Sequence, residues 1–212
     1  MKRTRTGPTL GGLGILLCLA PAVVQAEPVY SQGERLDASL DSMRVEAHWQ
    51  PGDAVDWQTG RHDPGAVPLG SHCSAFVAAV CAKFGIYILR PPDHPEELLA
   101  NAQCDWLRIR GPREGWRRVT DGMTAQSLAN RGYIVVACYR NPDGDDAGHI
   151  AIVRPGTKGR TRIQAEGPDV IQAGTLNYRK TTAKNGFRFH SGAWKRGRIR
   201  YYSHATSLVG LS

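Results

Sequence analysis

Apolar side chains recur at two spacings along this chain, and the switch between them divides it. From Cys73 onward, Phe76, Val77, Val80, Cys81 and Phe84 follow one another at three- and four-residue steps, which is one face of a helix, and Gly85 is placed to stop it. Leu36, Leu40, Met43, Val45 and Ala47 alternate with charged residues and predict an amphipathic helix over 36–49. Residues 95–102 predict a short helix with Pro95 in its first turn, and 124–132 a compact one with Thr124 as cap and Gly132 as stop. Strand formers then dominate, over 133–139, 148–153, 161–165, 170–173 and 198–202. Helices followed by an antiparallel meander, without βαβ alternation, predict an α+β fold.

Gly, Pro and Asp fill 51–71, a loop of about twenty residues, longer than most connections. Lying directly ahead of Cys73, it must wall any cleft there, with Trp57 either meeting ligand or filling a gap beneath the loop. Residues 104–118 read as irregular, anchored by Trp106 and Trp116. Asp143, Asp145 and Asp146 share a Gly-containing turn whose spacing is not that of an EF-hand loop, so turn chemistry accounts for them.

Lys2, Arg3 and Arg5 precede an apolar run over 10–24, with small residues near Ala26, which predicts an export signal over 1–26 and a periplasmic or secreted product. The run is too short and too broken by Gly and Pro for a permanent membrane helix, so no stable membrane insertion is expected. Beyond it, 27–67 reads as a lead-in, helix and loop, 68–204 as the main domain, and 205–212 as a tail. Loss of the signal lowers the formal charge from +8 to +5, a mild basicity that suits an anionic polymer. The arginines are scattered without a recognisable nucleic-acid module, so nucleic acid is not an expected partner.

Cys73 sits where a helix begins, and the partial positive charge of the unpaired N–H groups there favours a thiolate, the form that attacks carbonyl carbon. The competing reading is a small buried apolar residue. What favours chemistry is Gly148-His149-Ile150-Ala151-Ile152-Val153, a strand opened by a histidine that could serve as the base. Gln164, on the strand expected next, would fix the imidazole tautomer, with Gln172 in a like context as its competitor. The three allow acyl transfer through a thioester, with the Cys73 backbone N–H as one oxyanion donor. His72, Ser74 and Trp57 are the expected substrate contacts, and His48, His62, His94, His190 and His204 are expected on the surface. Cys81 reads as buried and inert, and Cys104 with Cys138 as a candidate bridge. No Cys or His spacing indicates a metal site, and no cofactor is expected.

The segment His72-Cys73-Ser74-Ala75-Phe76-Val77, the Gly85-Ile86 pair, the His149 strand and the later Gln164 resemble the NlpC-type papain-like cell-wall peptidases. Within that group, Cys73 through Gly132-Tyr133-Ile134-Val135 to Gly148-His149 looks closest to the peptidoglycan amidase effectors of type VI secretion, over roughly 68–202. Two positions depart from the pattern: His72 stands where Asp or Asn usually precedes the nucleophile, and Ala75 where Gly is common. The resemblance implies a papain-like domain, its nucleophile-bearing helix packed on an antiparallel sheet. It also implies a cysteine hydrolase cleaving peptidoglycan stems, typically between D-glutamate and meso-diaminopimelate. The N-acetylmuramoyl-L-alanine amide and a catalytically inactive wall-binding module are the alternatives. Peptidoglycan is then the partner, an immunity or inhibitor protein is left open, and the chain is expected to act as a monomer.

Overall fold

The computed structural model describes Met1, residues 27–143 and residues 146–209. The expected export signal therefore lies outside the described residues, apart from Met1, as do Gly144 and Asp145 of the acidic turn.

Six strands among the described residues form one antiparallel sheet: β1 (Arg117–Val119), β2 (Ile134–Tyr139), β3 (His149–Val153), β4 (Asp169–Gln172), β5 (Tyr178–Thr182) and β6 (Arg200–His204). Their spatial order is β1-β6-β2-β3-β4-β5. The fold is α+β, and both faces of the sheet are covered. Alternation explains how: Ile134, Val136, Cys138, Ile150, Ile152 and Ile171 point to one core, while Val135, Ala137, Tyr139, Ala151, Val153 and Val170 point to a second. Helix α2 (Cys73–Lys83) fills the first core, and α4 (Gly122–Asn130) with Phe187 covers the second.

All residues of α2 from Cys73 to Cys81 are buried, so this is a central helix rather than an amphipathic one. Each fully buried Val or Phe there contributes roughly 1.5–3 kcal/mol. Gly85, at φ +68°, ends the segment in the left-handed region, where glycine carries no Cβ penalty.

Several expected boundaries move. Helix α1 is Ser31–Asp41, earlier than the 36–49 expected: Leu36 and Leu40 are its core stripe, and Gly33 lies so close to the Asn130 carbonyl that a Cβ would collide with it. Turns after α1, through Arg44 and Trp49 at positive φ, drop Val45 and Trp49 into the core instead. Helix α3 is Leu99–Ile109, because Ala100, Gln103, Cys104 and Leu107 form its inward stripe. Most of the segment expected to be irregular is thus the end of α3, a tight turn over Gly111–Glu114 and strand β1. Helix α4 is capped by Asp121, whose carboxylate accepts the Thr124 N–H at 2.8 Å, so Thr124 is not the cap.

The strand expected over 161–165 is a helix, α5 (Arg160–Glu166), with Ile163 alone buried. Strand β5 was not expected, and the four-residue α6 (Ala183–Gly186) follows it. Among the described residues no helix is long and apolar enough to cross a membrane.

Candidate active site

Cys73 opens α2 and is 5% exposed, on the wall of a cavity of about 390 Å³. Ser71, Ser74, Glu96, Gly148 and His190 share that wall. Gln103 holds the start of α2 from behind, its amide donating to the carbonyls of Ser74 at 3.1 Å and Leu89 at 2.9 Å. Burial pushes the Cys73 thiol above its usual range, and hydrogen bonds from the Ile150 N–H, the Ser71 hydroxyl and the Ser74 N–H only partly offset this. The helix start was expected to hold a standing thiolate. Desolvation outweighs it, and the resting group is a thiol.

The Ile150 contact brings the sulfur against the strand residue that follows His149. His149 is 2% exposed, and its Nε2 meets Oε1 of Gln172 at 2.9 Å. The other end of the Gln172 amide, Nε2, donates to the Leu176 carbonyl at 3.3 Å, which turns Oε1 toward the ring. An amide oxygen only accepts, so His149 carries its proton on Nε2 and keeps the lone pair on Nδ1. Burial lowers the His149 pKa to about 4, with the Gln172 hydrogen bond opposing, so the ring is neutral at pH 7.

Gln164 does not take this position. It lies exposed on α5, and the residue facing His149 is Gln172 at the end of β4. His72 is 1% exposed and does not line the cavity: its Nε2 donates to the Asp53 carbonyl at 3.0 Å, and its Nδ1 faces Glu96 at 3.5 Å. It pins the preceding loop and the Glu96 segment to the start of α2 rather than offering a substrate contact. Trp57 is half-buried against the core under Arg90, does not line the cavity, and fills the gap beneath its loop. Ser74 does line the cavity.

His190, expected on the surface, is half-buried and stacks on His149, ring centroids 5.0 Å apart at 15°. Phe187 closes another side of the His149 ring edge-on, at 4.7 Å. Desolvation first, then the charge of His149, lowers the His190 pKa to about 4. His190 lines the cavity and His149 does not, so the second imidazole stands on the cavity side of the stack. No local pattern marks His190, which sits in a turn-rich segment after α6.

Glycines and one asparagine complete the surroundings. A Cβ at Gly174 would crowd Gln172 and His149, and one at Gly186 would meet the Gln172 oxygen. Asn177 accepts the Gly174 N–H at 3.1 Å and donates to the carbonyls of Val45, His48 and Trp49, bracing the loop that carries the Leu176 carbonyl.

Cys73, Cys81, Cys104 and Cys138 are all free and buried. Cys104 and Cys138, the candidate bridge, meet as hydrogen-bonded thiols between α3 and β2, and burial holds Cys104 well above the usual thiol range. Among the described residues no cluster of three or more His, Cys, Asp or Glu is placed to hold a metal ion. Compared with known proteins, the chain matches no family model and no curated protein.

Proposed function

We propose that the chain is an exported cysteine hydrolase of the papain-like type that cuts amide bonds in peptidoglycan stem peptides. The observation that carries this reading is the His149–Gln172 pair, which leaves Nδ1 as a free base on the residue next to the one whose N–H faces the Cys73 sulfur. An orienting amide on Nε2 and a cysteine at a helix start beside the cavity are what acyl transfer through a thioester needs.

With thiol and imidazole both neutral at rest, the proton moves during attack. As Sγ adds to the carbonyl carbon, its proton passes to Nδ1 of His149. The first N–H groups of α2, that of Cys73 among them, are the donors at hand for the oxyanion. The C–N bond then breaks while the imidazolium protonates the leaving amine. Water, deprotonated by His149, releases the acyl group from sulfur. The resemblance to the NlpC-type peptidases and to the type VI amidase effectors points to the D-glutamyl–meso-diaminopimelate bond in the periplasm or outside the cell, acted on by a monomer.

Purified mature protein should release new amines from isolated peptidoglycan, and Cys73→Ala should not, while keeping the wild-type circular dichroism spectrum. Equal activity of the variant rejects the proposal. Mass spectrometry of the muropeptides assigns the bond, since glycan freed of peptide would identify the muramoyl-alanine amide instead. A wall-binding module is the second reading, favoured by the near-complete burial of Cys73 and His149. It predicts binding without any new amine.

A further inference from the structure

Beyond the catalytic cavity, three further depressions follow one another across the surface, each sharing wall residues with the next. Ala147 and His190 separate the catalytic cavity from one lined by Asn141, Phe189, Arg196 and Arg198. Pro142 and Arg198 join that one to a third, lined by Arg108, Arg140, Arg200 and Tyr202 over the Cys104–Cys138 thiols. Arg108, Arg200 and Tyr202 lead on to the last, which ends at Arg118.

Strand geometry produces this strip. Residues 198, 200 and 202 alternate onto one side at β6, Arg200 lies opposite Cys138 and Tyr202 opposite Arg118, and α3 supplies Asp105 and Arg108 as the facing bank. Among the described residues six guanidinium groups therefore line it against two carboxylates, Asp105 and Asp146. Asp105 compensates Arg140 at 2.8 Å and Arg108 at 3.4 Å. Arg196 and Arg198 have no ion pair among the described residues, and Arg200 donates only to backbone carbonyls.

We infer that this strip is a binding track for an extended carboxylate-bearing polymer that runs out of the catalytic cavity past His190. The proposal rests on the hydrolase reading and adds the path of the substrate chain. Guanidinium forks match carboxylates bidentately, and a row in which Arg196, Arg198 and Arg200 have no carboxylate partner among the described residues rewards a polyanion over a neutral chain. Glu96 and Glu97, which line the cavity but not the strip, repel such a chain and favour its exit along the arginines. Single-stranded nucleic acid fits less well because its bases need open aromatic faces. Here Arg118 covers Tyr202 and Tyr139 is 2% exposed, which leaves Phe189, with Arg188 over one face, as the open ring among the described residues of the strip, too few for successive bases to stack.

The test uses Cys73→Ala full-length protein, which removes turnover, and a fluorescently labelled oligo-glutamate peptide read by anisotropy. Binding should weaken linearly in log–log terms as salt rises. Arg196→Glu/Arg198→Glu/Arg200→Glu should weaken it roughly tenfold or more, and the Gln versions of the same three changes by less. Arg35→Glu/Arg160→Glu, exposed positions away from the strip, should change it less than twofold, as a rough bound. An equal loss in that control would show general charge attraction and overturn the track. Tighter binding of a single-stranded oligonucleotide of the same charge would overturn it as well. Intact turnover of peptidoglycan by the wild type without oligo-glutamate binding ends the track and spares the hydrolase; binding without turnover does the reverse.

Discussion

Oε1 of Gln172 accepts the Nε2–H of His149 across 2.9 Å, from the neighbouring antiparallel strand. Because the Leu176 carbonyl holds the far end of that amide, the pair selects one tautomer rather than merely tolerating it. Gln172→Ala should therefore lower kcat roughly a hundredfold with little change in KM, while Gln164→Ala, on the exposed face of α5, stays within about twofold. Gln172→Glu should keep partial activity and move the acid limb of the pH profile upward, because a carboxylate stabilises the imidazolium. An unchanged limb in that variant would mean that Gln172 is only structural.

His190 covers one face of its neighbour's ring. Stacked on His149, it excludes water from a ring already lowered to about 4 by burial. The acid limb of kcat/KM should accordingly lie near 4 rather than near 6.5. His190→Ala should open the ring to solvent and raise that limb toward the ordinary imidazole range, whereas His190→Phe, which keeps the cover, should raise it less. Steady-state rates between pH 3.5 and 8 in inert buffers decide between these outcomes.

The same two histidines make the fold sensitive to acid. Each is near 4 in the native chain and near 6.5 when unfolded, so between those values the unfolded chain binds more protons and stability falls as pH falls. Above about pH 6.5 the pair contributes no pH dependence. For the fully buried His149 the loss by pH 4 is on the order of 3 kcal/mol. Thermal melts at half-unit steps should show Tm dropping between pH 6.5 and 4, and a drop centred below pH 3.5 would assign the effect to carboxylates such as Asp41 instead.

The positions of Cys73 and His149, the proposed nucleophile and base, could be read from the chain because each sits in a segment whose burial its own residues dictate: α2 is buried from Cys73 to Cys81, and β3 is a run of β-formers. The orienting glutamine could not. Ile163-Gln164-Ala165 and Ile171-Gln172-Ala173 are the same tripeptide, and only pairing of β4 with β3 makes the second a strand, while the first stays on a helix with one buried residue. His190 was equally hidden, since its partner is fixed by tertiary packing rather than by spacing. Helix α3, by contrast, left its signal in Ala100, Cys104 and Leu107, and Pro95 drew attention to the wrong start.

Arg154, at the end of β3, is 3% exposed and binds Asp37 at 2.7 Å, Asp41 at 2.8 Å and the Arg179 carbonyl at 2.7 Å. It fastens α1 to the sheet, and the segment after α1 is the one whose carbonyls receive the Asn177 amide beside the candidate site. Arg179 and then Arg154 hold the Asp41 carboxyl down to about 2. Arg154→Met strands a partly buried carbonyl and two partly exposed carboxylates, and should cost about 3 kcal/mol in urea unfolding at pH 7 with an unchanged m-value. Arg179→Met, whose side chain is 63% exposed, should cost under about 1 kcal/mol. Since the brace on Asn177 depends on where α1 sits, Arg154→Met should also lower kcat under conditions where the variant is still fully folded. Full activity in the folded variant would show that the ion network supports the fold without positioning the site.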